Sequence, residues 1–251
     1  MFDISNYLLP FSKGVSRAKS RTLEHFSFLL ENGIHSLCYA PYFDDTDSAT
    51  WGEAVHRIVD DYKSESTFPK DFSLVSGHTL KLSSSLIDDL HDGKALTLNG
   101  TAYVLIDLQD ASLEKASNQL YELALGGYIP ILLHPEQDQR FQKDPEALYR
   151  MVKNGAYTLM QAASLLGNHG KHAKKCVQLL IKSRLIHMVA SYESSQTKDE
   201  LDLVNIESLL KKVNSSYEEA IKMNVMNLLE GRSAIIAEPM HPEKKRLSFF
   251  S

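Results

Sequence analysis

Short apolar runs alternate with amphipathic helical patterns along almost the whole chain, and this alternation limits the fold more than any other feature. The strand-like runs are FDISNYLL, IHSLCYAP, FSLVSGHTLKL, AYVLIDL, YIPILLHP, YTLMQAA and LIHMVAS. Between them, SRTLEHFSFLLENG places Leu23, Phe26, Leu29 and Leu30 on one helical face and stops at Gly33. SLEKASNQLYELALGG also ends in glycine, and DPEALYRMVKNG opens on an Asp-Pro cap. KHAKKCVQLLIKS and YEEAIKMNVMNLLEG follow the same logic. Strand, helix, strand at this spacing is a βα repeat with a parallel sheet. The expected fold is α/β, a distorted barrel of about seven strands and helices, with an open doubly wound sheet as the alternative. No Pro/Gly/Ser linker divides the chain. A single domain over 1–251 is expected, with a mobile tail from about 238 in HPEKKRLSFFS.

The 251 residues are 43% apolar and 24% charged, with a formal net charge of −5. That balance suits a soluble domain and argues against nucleic acid as a partner. No apolar run reaches the ~18–20 residues of a membrane helix, so no membrane insertion is expected. The N-terminus lacks a secretory pattern, and two cysteines cannot build a disulfide framework, which points to the cytoplasm. A cysteine phosphatase needs an arginine six residues after its nucleophile. Asp44 lies there after Cys38, and Lys182 after Cys176. Both thiols are read as core residues. GNHGKH is not a phosphate-binding P-loop, and no G-x-S-x-G elbow or G-x-G-x-x-G fingerprint is present.

Several strand ends fall into a known order. DDLHDGKALTLNGTAYVLIDL is followed by QLYELALGGYIPILLHPE, and then by LYRMVKNGAYTLMQAASLLGNHGKHAKKCVQLLIKSRLIHMVAS. Over about residues 1–230 the chain resembles the manganese-dependent tyrosine phosphatases of bacterial capsule and exopolysaccharide loci, members of the PHP superfamily. The resemblance implies a distorted barrel with its centre at the carboxyl ends of the strands. It also implies metal-assisted phosphate hydrolysis, for which carboxylates and imidazoles supply the ligands.

This chain departs from the family's ligand pattern at most positions. DISNYLLP has Ser5 and Tyr7 where the family carries two histidines. YAPYF has Tyr42 for a histidine, and GHTL has Thr79 for a bridging glutamate. LIDL supplies Asp107, and LLHPEQ keeps His134 while replacing an arginine by Gln137. ASYESS has Tyr192 and Ser194 for an aspartate and a histidine. Only Asp107 and His134 remain as candidate metal ligands. The tyrosines are expected to fill space vacated by ions. No cofactor is therefore expected, with a weak or partial manganese site as the alternative.

Lys13, Arg17, Arg140 and Lys171 follow strand ends and are candidate anion-binding residues. The resemblance then implies a metal-depleted family member that works by binding. Its partner would be a bacterial tyrosine kinase, a polysaccharide-assembly protein, or a phosphorylated or acidic ligand. An active phosphatase with a reduced metal site and a structural oligomer subunit are the alternatives.

Overall fold

Two parallel sheets form the frame of the computed structural model, which describes the chain except residues 1, 6–8, 10–18, 44–47, 110, 192–205, 215–217 and 244–251. One sheet orders β1 (Phe2–Ser5), β2 (Ser36–Tyr39) and β3 (Ser73–Ser76). The second orders β4 (Thr79–Lys81), β5 (Tyr103–Asp107), β6 (Ile129–Leu133), β7 (Tyr157–Gln161) and β8 (Met188–Ala190). Parallel pairing demands crossovers, and helices supply them. They are α1 (Lys19–Glu31), α2 (Ser48–Lys63), α3 (Leu86–His91), α4 (Leu113–Leu125), α5 (Gln139–Lys143), α6 (Pro145–Lys153), α7 (Ala162–Leu166), α8 (Gly170–Lys182), α9 (Glu207–Asn214) and α10 (Glu218–Leu229).

The strand period of two divides the core. Leu37, Val104, Ile106, Leu132 and Met160 join the helices in one cluster. Ile4, Cys38, Leu105, Ile131, Leu159 and Met188, of the opposite parity, meet in another. The second cluster draws on both sheets at once, so they share one interior, and Val225 and Leu228 of α10 pack into it. Strands buried on both faces explain why the runs read as continuously apolar rather than alternating.

The sheets meet at two seams. At one, Thr79 bridges to Tyr42 in parallel register, with Phe43 N–H donating to Thr79 O at 2.9 Å. At the other, no strand ladder joins β1 to β8 among the described residues. There the buried Asp3 carboxylate accepts from the Ser191 N–H at 2.8 Å and from the Ser191 hydroxyl.

The run FSLVSGHTLKL holds two strands, not one. β3 ends one sheet and β4 begins the other, with Gly77 and His78 at the break. A Cβ on Gly77 would lie 2.7 Å from Leu98 Cδ2 and 3.3 Å from its Cα, so the chain turns where only glycine fits. Gly77→Ala should therefore lower stability by about 1–3 kcal/mol through overpacking. The reading is a lower urea midpoint at unchanged slope, and an unmoved midpoint would mean that Leu98 yields.

Past α10 the chain runs extended over the barrel. Ile235 exchanges hydrogen bonds with Asn224, Met240 N–H donates to Ser183 O at 2.9 Å, and His241 packs on Tyr149 with ring centroids 4.0 Å apart. Residues 238–241, expected to begin a mobile tail, are docked, and residues 244–251 lie outside the described ones. Among the described residues no helix is long and apolar enough to cross a membrane.

Candidate functional site

A βα repeat brings the carboxyl ends of parallel strands to one side, and a pocket of about 360 Å³ opens there. Tyr42 reaches it from beyond β2, Asp107 ends β5, and His134 directly follows β6. Leu108 and Phe141 add apolar wall, and Gln109, Gln137, Asp138 and Arg140 complete the polar rim. The structure thus brings together Asp107, His134 and Tyr42, three of the positions singled out by the family pattern.

Asp107 accepts three hydrogen bonds, one of them at Oδ1. Its Oδ2 accepts from the Tyr42 hydroxyl at 2.7 Å and from Gln109 Nε2 at 3.3 Å, while Oδ1 accepts from Gln109 N–H at 3.1 Å. Tyr42 is half-buried and lines the pocket rather than filling it. His134 has φ +47°, in the left-handed region that a residue with a Cβ rarely adopts. Its Nε2 is buried, and burial, with His169 nearby, pushes the imidazole down to about 3. The ring is neutral at physiological pH, the form that ligates metal.

Thr79 is buried and donates its hydroxyl to Ala40 O at 2.8 Å, so the position of the family's bridging glutamate serves to join strands. Ser5 pairs with Tyr39 along the β1–β2 ladder. Tyr7, Tyr192, Ser194, Lys13 and Arg17 lie outside the described residues. Lys171 is exposed in the first turn of α8 and is not on the pocket wall.

Arg140 does reach the pocket, but its charge is already paired. Its Nε donates to both Asp138 oxygens at 2.9 Å, and its terminal nitrogens reach Asp138 and the carbonyl of Ala111. Asp138 also caps α5, accepting from Arg140 N–H at 2.8 Å. With His134 neutral, two carboxylates and one guanidinium give the described lining a formal charge of −1. Alone, this lining repels a phosphoryl group. Asp138 was not singled out in the sequence, because its pairing with Arg140 depends on the turn at α5.

Both cysteines are buried and free. Burial pushes the Cys38 thiol far up and the Cys176 thiol to about 12, so neither is a nucleophile. Asp107 and His134 are the donor types that hard divalent ions take. Among the described residues no group of three such side chains converges. Among the described residues the pair could supply part of a protein site for one ion.

A family model described as capsular polysaccharide synthesis, CpsB/CapC, matches residues 1–245. The chain belongs to the CpsB/CapC family. It is 27% identical over 253 aligned positions to the tyrosine-protein phosphatase YwqE of Bacillus subtilis, with 99% of each chain covered. It is 25% identical to a putative tyrosine-protein phosphatase, CapC, of Staphylococcus aureus, covering 87% of this chain and 86% of that one. It superposes with a TM-score of 0.87 and 25% identity on a crystal structure from a study of YwqE and Streptococcus pneumoniae CpsB, covering 98% of this chain and 100% of that one. YwqE and CpsB are described there as metal-dependent tyrosine phosphatases. This corrects the expectation that this CpsB/CapC chain needs no cofactor. That expectation counted surviving ligands alone and left out the negative charge of the described lining.

Proposed function

We propose that this chain is a metal-dependent tyrosine phosphatase of capsule synthesis with a reduced centre, in which Asp107 and His134 are the described protein ligands of a divalent cation. The observation that carries this reading is the formal charge of −1 on the described lining, with Arg140 already committed to Asp138. A bound cation would give a phosphoryl group the counter-charge that the described lining lacks. A divalent ion in this place supplies polarisation of the phosphoryl group.

The chain's own residues do the rest. Neutral His134 offers a lone pair without adding charge, and Asp107 offers the anionic oxygens. Leu108, Phe141 and the Tyr42 ring give a phosphorylated tyrosine an apolar wall. Ser5, Tyr7, Tyr42, Thr79, Tyr192 and Ser194 replace ligands of the family pattern, so turnover should be slow for the family. The substrate class is a tyrosine-phosphorylated protein of the capsule machinery, such as its kinase.

One observation favours a second reading, phosphotyrosine binding without turnover. The Tyr42 hydroxyl holds Asp107 Oδ2 at 2.7 Å and competes for that oxygen. Hydrolysis of an aryl phosphate and affinity for a phosphotyrosine peptide, each titrated with Mn²⁺, separate the readings. Both quantities should require the metal. Metal-dependent binding with no hydrolysis selects the second reading, and metal-independent binding refutes both. Tyr42→Phe should tighten Mn²⁺ binding roughly two- to fivefold, by releasing a hydrogen bond of about 0.5–1 kcal/mol. Weaker binding would make the hydroxyl a ligand instead of a competitor.

A further inference from the structure

The loop after β6 is pinned to β7 at three successive points. His134 N–H donates to Leu159 O at 2.8 Å. Glu136 Oε1 accepts from Gln161 N–H at 3.0 Å and from the Ser164 hydroxyl at 2.7 Å. Gln137 Nε2 donates to Gln161 Oε1 at 2.7 Å. The middle attachment is the unusual one. Glu136 is 0% exposed and is not on the pocket wall, and burying a carboxylate is costly unless its bonds are needed. Its neighbour His134 carries the left-handed backbone, which a residue with a Cβ keeps only where its surroundings over-determine it. A hydrogen bond from Gln137 N–H to His134 O at 3.0 Å makes residues 134–137 one turn, so a clamp at Glu136 acts on both ends of it.

We infer that Glu136 is a positioning residue for His134: its buried carboxylate fastens the 134–137 turn to the end of β7 and the first turn of α7, and so holds the imidazole at the pocket. Ser164 is the clamp's second donor. Glutamine preserves the accepting oxygen and alanine removes it, so the pair of substitutions separates clamping from mere occupancy of space. The effect on metal rests on the reading of His134 as a cation ligand, whereas the placement of the ring does not.

The full chain is compared as wild type, Glu136→Gln, Glu136→Ala and Ser164→Ala. The ¹⁵N imidazole resonances of His134 are followed, and Mn²⁺ is titrated by the loss of its free-ion paramagnetic signal. Glu136→Ala should displace the His134 resonances and weaken Mn²⁺ binding by at least about tenfold, as loss of an outer-shell support does. Glu136→Gln should restore both, and Ser164→Ala, which also removes the 2.9 Å contact of the hydroxyl with His169 Nδ1, should weaken binding by at least about threefold. A folded Glu136→Ala protein with wild-type His134 resonances overturns the inference, as does a Glu136→Gln protein that is equally displaced. If Glu136→Ala does not fold, Ser164→Ala decides, and unmoved His134 resonances there overturn it. If wild type takes up no Mn²⁺, the phosphatase reading falls and the imidazole resonances alone decide the clamp.

Discussion

Asp107→Asn should reduce Mn²⁺-dependent hydrolysis of an aryl phosphate by at least about a hundredfold, because a catalytic ion contributes several kcal/mol and each 1.36 kcal/mol is tenfold in rate. Asparagine has nearly the shape of aspartate. Its oxygen can still accept from Gln109 or Tyr42, so the turn after β5 should survive. What is lost is the anionic ligand. The same substitution separates two ways of holding phosphate, because they predict opposite signs. If the lining binds phosphate directly, removing one negative charge from it must strengthen phosphopeptide binding. If a cation bridges the two, binding must weaken, since the cation is lost with its ligand. Calorimetry with a phosphotyrosine peptide at fixed Mn²⁺ gives that sign. Tighter binding by the variant would remove the bridging ion from the proposed function.

The βα layout of parallel strands and helices was legible because its signals are local. The glycine stops at Gly33 and Gly155 and the Pro145 start lie at helix ends in the structure. The break at Gly77 was not legible. A glycine inside an apolar run looks like a bulge, and the reason for it is Leu98, twenty-one residues further on and invisible to a strand pattern. At the site, Asp107 and His134 could be found because the family pattern marks ligand positions at strand ends, and parallel strand ends converge. The state of Arg140 could not be found that way. Its position after a strand suggested a free cation, but Asp138, two residues earlier, caps α5 and takes the guanidinium with the same carboxylate. Helix capping at short range defeated a charge count made along the chain. The neutral state of His134 was hidden for a related reason, because burial of a ring is a property of the assembled pocket.

Acid should unfold the metal-free protein more readily than its buried carboxyls alone would allow. Burial pushes His78 and His134 down to about 3 and His187 down to about 4. Geometry fixes the neutral form at two of them. Leu96 N–H donates to Nδ1 of His78 at 3.0 Å, and Thr158 N–H donates to Nδ1 of His187 at 3.2 Å. A proton on either Nδ1 would break that bond. Histidines with depressed folded values contribute stability that is present above about 6.5 and lost as pH falls, because the unfolded chain takes up protons first.

Two carboxyls oppose them. Burial raises Asp3 to about 6 and Glu136 to about 7. Their contribution is present below the ordinary carboxyl range and lost as pH rises through those values, so it grows on acidification. Three imidazoles pushed down outnumber two carboxyls pushed up, so acidification costs more stability than it returns. Urea midpoints at pH 7, 5.5 and 4 should therefore fall steadily, and His187→Asn should lessen the fall. A midpoint that rises on acidification would mean that Asp3 and Glu136 outweigh the buried imidazoles, and that these rings are better solvated than their packing implies.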